Sequence, residues 1–219
     1  RGCSHRKGTP YMSDLSAPVE AIMRMAPVIP VLVIDDVAHA VPIAQALVAG
    51  GLPVLEVTLR TACALEVIRE MKQVPGAVVG AGTVLNPKDL DAALEAGSEF
   101  IVSPGLTKKL GKAAISAGIP LLPGTANASD IMTGLDLGFT RFKFFPAVAS
   151  GGIAALKAIA GPFGQARFCP TGGITLETAA DWLAIDPVIC VGGSWMVPKG
   201  APDPAAIEAA ARAAKALAQ

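Results

Sequence analysis

The sequence predicts an α/β fold, namely a single-domain (β/α)8 TIM barrel at the small end of its size range. Short apolar segments alternate along the chain with segments rich in Ala, Leu, Glu and Lys. The apolar segments recur at intervals that fit one strand plus one crossover helix. Eight such units occupy roughly 190 of the 219 residues, and no domain boundary is visible among them. A doubly wound open sheet is the alternative, but no G-x-G-x-x-G motif follows the first strand.

The elements follow in a regular order. The eight predicted strands are Val28–Ile34, Leu52–Leu59, Ala77–Ala81, Phe100–Ser103, Ile119–Pro123, Arg141–Phe145, Arg167–Pro170 and Val188–Gly193. The predicted helices include Leu15–Met25, Val37–Ala49, Cys63–Lys72, Pro87–Ala96, Lys108–Ala117, Ala128–Leu137 and Gly152–Ala160. Gly97, Gly118 and Gly138 each follow a helix, which suits a left-handed helix cap.

Composition excludes several classes of protein. A chain that is 52% hydrophobic and 16% charged is neither disordered nor a charge-rich coiled coil. Lys and Arg balance Asp and Glu, 18 against 18, so the basic excess of a nucleic-acid binder is missing. The apolar runs are shorter than the roughly 20 residues that a membrane-spanning helix needs, which predicts no membrane partner.

The first residues differ from the rest of the chain. Residues 1–11 are polar and basic, and we predict a disordered leader or a cloning scar there, with residues 12–219 forming the barrel. The four cysteines show no C-x-x-C spacing, and no secretory signal is visible. We therefore expect reduced thiols and a cytoplasmic location.

Polar residues interrupt two of the predicted strands. In VLEVTLR, Glu56, Thr58 and Arg60 share one face, and the apolar residues between them share the other. Because the apolar set packs on the helices, Glu56 and Arg60 point into the barrel. They form either a structural ion pair or a functional site.

In RFKFFP, Lys143 lies between two outward phenylalanines and therefore points inward, with Phe145 nearby. Burial among apolar rings disfavours the charged form of an amine, and a neutral amine can attack a carbonyl to form a Schiff base. A lysine that snorkels or serves as a fixed positive charge explains the strand equally well.

Glycine pairs follow the last two strands, in PTGG at 170–173 and GGS at 192–194. These loops are the usual phosphate site of the barrel fold, although two tight turns without a ligand would show the same glycine pairs. Thr83 and Pro104 follow the third and fourth strands, where turn chemistry alone can explain each. His5 and His39 lie away from the strand ends, so no metal site and no Ser/His/Asp site is predicted.

Taken together, these motifs resemble the class I 2-keto-3-deoxy-6-phosphogluconate aldolase family from about residue 27 to residue 198. The resemblance rests on VLEVTLR, VGAGTVLN, SPGLT, RFKFFPA, GPFGQARFCPTGGI and CVGGSW, in this order. It implies a barrel fold, a homotrimer, and cleavage of a phosphorylated keto-acid substrate to pyruvate and glyceraldehyde 3-phosphate. Because the iminium would serve as the electron sink, no cofactor is expected.

The resemblance also implies roles for particular residues. Lys143 matches the Schiff-base lysine, and Glu56 matches the carboxylate that moves protons. The remaining matches imply substrate-binding roles. Arg60 and Thr83 match the groups that hold the pyruvyl carboxylate, and Pro104 and Phe145 match residues that line the pocket. The matches at the phosphate are Thr171, Gly172, Gly173, Gly193 and Ser194. Val148 and the GTANAS segment depart from the family pattern at the rim. These departures leave open the C4 stereochemistry and the activity on 4-hydroxy-2-oxoglutarate.

Two rival functions remain open from the residues alone. The first is a phosphosugar isomerase or epimerase in which Lys143 is a fixed charge and Glu56 a base. The second is a catalytically silent protein that binds a phosphorylated metabolite. The phosphate loops fit both rivals.

Overall fold

The computed structural model describes residues 15–218, except for the side chain of residue 218. The leader predicted over residues 1–11 lies outside the described residues, as do Cys3 and His5. The strands are β1 Val28–Leu32, β2 Val54–Thr58, β3 Val78–Gly82, β4 Ile101–Val102, β5 Leu121–Leu122, β6 Gly124–Thr125, β7 Arg141–Phe144, β8 Arg167–Pro170 and β9 Val191–Gly193.

The α-helices follow the strands as predicted, with two more near the carboxyl end. They are α1 Ala17–Met23, α2 Ala40–Ala49, α3 Ala64–Met71, α4 Pro87–Glu95, α5 Lys108–Ala117, α6 Ala128–Asp136, α7 Gly152–Ala160, α8 Leu176–Leu183 and α9 Pro204–Lys215. Short 3-10 helices occupy Val37–His39 and Ala216–Ala218. Gly97, Gly118 and Gly138 have φ of +92°, +67° and +90°, which confirms the predicted left-handed caps. No helix in the described range is both long and apolar enough to span a membrane.

The strands are all parallel and form two sheets. The larger sheet has the order β5-β4-β3-β2-β1-β9, and the smaller has the order β6-β7-β8. Isolated bridges join Phe168 to Val188 and Thr171 to Gly192, between β8 and the β9 segment. The fold is thus one α/β domain with parallel strands in two sheets, and a continuous eight-stranded barrel stays a prediction.

The predicted strand over Ile119–Pro123 is wrong in its bounds. The structure divides it into β5, which pairs with β4, and β6, which pairs with β7. Pro123 lies at the division, and proline has no N–H to donate to a ladder. Its carbonyl still accepts a hydrogen bond from the Lys143 N–H at 2.9 Å.

Buried apolar side chains form an outer and an inner cluster. The outer cluster fills the space between strands and helices and includes Leu55, Val57, Phe142 and Phe144. The inner cluster draws on the strand segments and on α1 but on none of the helices α2 to α9. Successive residues of β2 and β7 therefore face opposite sides, as the strand period of two predicts.

Helix α1 covers the amino-terminal end of the inner cluster. Its residues Val19, Ile22 and Met23 join that cluster. Glu20 forms an ion pair with Arg141, the first residue of β7. Helix α1 therefore covers the inner side chains at the end where β7 begins.

Candidate active site

The two ionisable residues predicted to face inward meet inside the fold. Lys143 Nζ on β7 lies 3.2 Å from Glu56 Oε1 on β2, and the two side chains are only 7% and 4% exposed. They come from different sheets, so the contact crosses the interior. A buried charge is costly unless it is paired, and each group here supplies the other's partner.

An aromatic ring and a backbone contact complete the surroundings of Lys143. The amine lies 5.2 Å from the ring centroid of Phe145, within the range of a cation–π contact. Thr125 Oγ1 on β6 donates to the Lys143 carbonyl at 3.3 Å. The lysine is therefore held on a buried strand with its amine facing one carboxylate and one ring.

The neighbouring strands fix the position of Glu56. Thr58 Oγ1 donates to the Leu32 carbonyl at 2.8 Å, which ties the end of β2 to β1. On the other side, a Cβ placed on Gly82 of β3 would lie 2.2 Å from Glu56 Oε1. The carboxylate therefore occupies space that only a glycine at position 82 leaves open.

A cavity of about 460 Å³ opens at the carboxyl ends of the strands. Its wall contains seven of the eleven residues predicted for the site, namely Arg60, Phe145, Thr171, Gly172, Gly173, Gly193 and Ser194. Lys143 and Glu56 are not among the lining residues, but the Lys143 amine lies 5.2 Å from the ring centroid of Phe145, which lines the cavity. A larger cavity of about 720 Å³ lies at the amino-terminal end, beside Arg24 and Lys215, and contains none of the predicted residues. The smaller cavity is therefore the candidate active site.

Arg60 stands out among the arginines. Within residues 15–218, every other arginine side chain forms a hydrogen bond or an ion pair, as Arg24, Arg69, Arg141, Arg167 and Arg212 do. The Arg60 guanidinium has none in this part of the chain, although it lines the cavity. A guanidinium presents several donors in a planar fork that matches a carboxylate or a phosphate.

The loop after β8 presents free backbone donors. Gly172 and Gly173 have φ of +104° and +79°, so two successive residues take a conformation that favours glycine. The Gly172 carbonyl is held in place, since Val148 N–H donates to it at 3.1 Å. Within the described residues, their own N–H groups donate to no partner. Successive free N–H groups of this kind form anion-binding concavities.

The end of β9 packs directly against Thr171, the residue that follows β8. Thr171 is buried and donates through Oγ1 to the Cys169 carbonyl at 3.3 Å. A Cβ on Gly192 would lie 2.3 Å from that same Oγ1. The two glycine loops therefore form one continuous wall of the cavity.

Two predicted binding residues lie apart from this cavity. Pro104 lines a neighbouring cavity of about 350 Å³, together with Thr107 and Asp130. Thr83 lines neither cavity, but it has φ of +59°, which is uncommon for a residue with a Cβ. The roles of Pro104 and Thr83 stay predictions.

Several residues of the cavity wall escaped prediction from the sequence. They are Val31, Val33, Ile174, Val197, Pro198 and Lys199. The two valines belong to the first strand and the residue after it, where an apolar pattern shows only burial. Lys199 could have been noticed as a charge shortly after the GGS loop. No group of three or more His, Cys, Asp and Glu arranged to hold a metal occurs in the described range.

Comparison with known proteins identifies the family. A family model described as KDPG and KHG aldolase matches residues 19–210. The chain belongs to this aldolase family. It is 64% identical over 199 residues to the 2-dehydro-3-deoxy-phosphogluconate aldolase of Zymomonas mobilis, covering 91% of this chain and 96% of that protein. It is 56% identical over 191 residues to the KHG/KDPG aldolase of Escherichia coli, covering 87% and 90%.

Solved structures of aldolases share the fold. The Zymomonas mobilis 2-keto-3-deoxy-6-phosphogluconate aldolase with 3-phosphoglycerate superposes with a TM-score of 0.90 at 64% identity, covering 91% of this chain and 95% of that one. The KDPG aldolase of Legionella pneumophila superposes with a TM-score of 0.86 at 44% identity, covering 90% and 97%. That structure contains pyruvate captured as a covalent carbinolamine intermediate. The resemblance inferred from the motifs is confirmed, and the aldolase family consists of carbon–carbon lyases.

Proposed function

We propose that this chain is a class I aldolase that cleaves 2-dehydro-3-deoxy-6-phosphogluconate to pyruvate and glyceraldehyde 3-phosphate through a Schiff base on Lys143. The observation that carries the proposal is the buried contact of 3.2 Å between Lys143 Nζ and Glu56 Oε1, next to a cavity at the carboxyl ends of the strands. The proposal extends to cleavage of 4-hydroxy-2-oxoglutarate to pyruvate and glyoxylate. The double name of the Escherichia coli relative supports this extension.

The first half of the reaction forms the covalent intermediate. An ammonium must lose a proton before its nitrogen can attack, and Glu56 is near enough to accept that proton. The neutral amine then attacks the C2 carbonyl of the substrate and gives a carbinolamine. Glu56 returns a proton to the C2 hydroxyl, which leaves as water, and the nitrogen lone pair forms the C=N bond of the iminium.

The second half breaks the carbon–carbon bond. Glu56 accepts the proton of the C4 hydroxyl, the C4–O bond becomes a carbonyl, and the electrons of the C3–C4 bond move into the iminium. Glyceraldehyde 3-phosphate leaves, and an enamine of pyruvate remains on Lys143. Protonation of the enamine at C3 and attack of water on the iminium release pyruvate and regenerate the amine.

The cavity wall supplies the binding groups. Arg60, which lacks a partner in the described chain, fits the planar carboxylate next to the reacting carbonyl. The free N–H groups of Gly172 and Gly173 fit the phosphate, together with Thr171, Gly193 and Ser194. Thr83 is proposed to assist Arg60. Contacts at the remote phosphate align the reacting end of the substrate.

Three broader features belong to the same proposal. The strands act as one closed eight-stranded barrel, supported by the Pro123 carbonyl contact between the sheets and by the bridges between β8 and β9. The enzyme assembles as a homotrimer, which the family resemblance supports. It acts in the cytoplasm, in keeping with three free cysteines in the described residues.

The test is the release of pyruvate from the phosphorylated substrate, measured with a coupled assay. We expect the wild type to release pyruvate and Lys143→Ala to be inactive, because the variant has no amine to attack the carbonyl. Lys112→Ala, which removes an exposed lysine of α5, is the matched control and should retain full activity. Substantial cleavage by Lys143→Ala would refute the Schiff-base assignment, and a wild type that releases no pyruvate would favour a silent binding protein.

A further inference from the structure

The cavity carries local positive charge although the whole chain is neutral. Two of its lining residues, Arg60 and Lys199, are cationic, and none is Asp or Glu. The formal net charge of the chain is +0, so this local excess is not a general property of the surface. A cavity with two cations and no carboxylate favours a ligand that bears negative charge in two places.

Neither a sequence motif nor the proposed mechanism uses Lys199. Arg60 follows β2, and the strand order β2-β1-β9 puts β1 between Arg60 and the end of β9. Lys199 lies in the segment after β9 that also supplies Ser194, Val197 and Pro198 to the cavity wall. The second cation is therefore supplied by the same segment as Ser194, which ends the GGS loop.

The amine of Lys199 is available for a ligand. It forms no hydrogen bond and no ion pair with any residue from 15 to 218, whereas Lys215 donates to the Met25 carbonyl and Lys143 contacts Glu56. The preceding residue, Pro198, has a fixed φ and limits the backbone freedom of the segment. The N–H groups of Gly172 and Gly173, which line the same cavity, supply directed donors but carry no full charge.

We propose that Lys199 is a specificity-determining residue that selects substrates with a phosphate at the end remote from the reacting carbonyl. This inference rests on the proposed function, since it assigns the phosphate to the glycine-loop side of the same cavity. The glycine N–H groups orient the phosphate oxygens, and the Lys199 ammonium neutralises their charge. Arg60 then binds the substrate carboxylate at the reacting end.

The experiment compares two substrates that differ only in the phosphate, 2-dehydro-3-deoxy-6-phosphogluconate and 2-dehydro-3-deoxygluconate. For Lys199→Ala, we expect kcat/KM for the phosphorylated substrate to fall about 10-fold, as the loss of a hydrogen bond to a charged group implies. The loss should appear in KM, with kcat unchanged. For the substrate without phosphate, kcat/KM should equal that of the wild type.

Two variants serve as controls. Lys199→Arg keeps the charge and should retain most of the preference for the phosphorylated substrate. Lys112→Ala removes an exposed lysine that does not line the cavity and should change neither substrate's kcat/KM. If Lys199→Ala loses activity equally on both substrates, or loses none, the proposal is wrong.

A binding measurement separates this proposal from the proposed function. Calorimetric titration with inorganic phosphate needs no turnover, and we expect Lys199→Ala to bind phosphate about 10-fold more weakly than the wild type. Equal phosphate affinity in the two proteins would overturn the role of Lys199 even if the wild type is an active aldolase. Conversely, a wild type that binds phosphate through Lys199 but releases no pyruvate would refute only the aldolase function.

Discussion

Gly82 on β3 lies so close to Glu56 on β2 that a Cβ on the glycine would be 2.2 Å from the carboxylate oxygen Oε1. The same oxygen contacts Lys143 Nζ at 3.2 Å. Because Gly82 has no side chain, the carboxylate of Glu56, the proposed proton carrier, can occupy this position. The contact between Glu56 and Lys143 thus depends on a third residue that has no functional group of its own.

We expect Gly82→Ala to lower kcat, because the added methyl group must push the Glu56 carboxylate away from Lys143. The overpacking should also cost about 1–3 kcal/mol of stability. Steady-state kinetics and thermal unfolding measure the two effects. Gly164→Ala is the control, since a Cβ there meets nothing within 4 Å. A Gly82→Ala variant with the kcat of the wild type would show that the position of Glu56 does not matter.

Glu56→Gln should keep the shape of the side chain and lose the proton transfer. We expect kcat to fall by about 10²–10⁴, the usual contribution of general acid–base catalysis. The control is Glu66→Gln, which removes the carboxylate of an exposed ion pair with Arg69 on α3. Undiminished turnover by Glu56→Gln would move the proton transfer to another group.

Variants of Thr83 test whether the unusual backbone conformation of this residue serves substrate binding. Its φ of +59° is costly for a residue with a Cβ and costs glycine little. If the hydroxyl binds the substrate carboxylate, Thr83→Gly should raise KM while the thermal stability stays level or rises. Thr83→Ser restores the hydroxyl and should recover most of the affinity. A loss of stability without a change in KM would assign Thr83 a structural role only.

The contact of α1 with β7 predicts how stability depends on pH. Burial alone would raise the pKa of the Glu20 carboxyl, but hydrogen bonds from Arg141 and Arg24 outweigh it and hold the pKa below its ordinary value. A carboxyl with a lowered pKa in the folded state adds stability above its unfolded pKa, and that stability is lost as the pH falls through the folded pKa.

Glu20→Gln should therefore be less stable than the wild type at pH 7, and the difference should shrink as the solution becomes acidic. Urea unfolding at a series of pH values from neutral to acid measures it. Glu95→Gln, at an exposed position of α4 outside any ion pair in the described chain, is the control. A difference between Glu20→Gln and the wild type that stays constant with pH would contradict the assignment.

The side-chain directions could be predicted from the sequence because a strand has a fixed period of two. Val54 joins the inner cluster while Leu55 and Val57 join the outer one, and this alternation turns Glu56 inward. The same period turns Lys143 inward between Phe142 and Phe144. Strand bounds were less predictable where proline and glycine interrupt the ladder, as Pro123 does.

The contact between Glu56 and Lys143 could not be predicted from the sequences of their strands alone. Glu56 and Lys143 lie on strands of different sheets, so their distance depends on how the sheets curve and face each other. The same limit applies to the cavity wall. Val31 and Lys199 line it because of where their segments lie in space, and neither belongs to a pattern typical of a binding site.

The central claim is that the Lys143 amine bonds covalently to the substrate carbonyl, and reductive trapping tests it most directly. The wild type is treated with borohydride in the presence of pyruvate and then digested and analysed by mass spectrometry. We expect one pyruvyl adduct, on the peptide that contains Lys143, together with irreversible loss of activity. An enzyme that releases pyruvate but carries no adduct, or carries it on another lysine, would contradict the claim, and an isomerase would also remain unmodified.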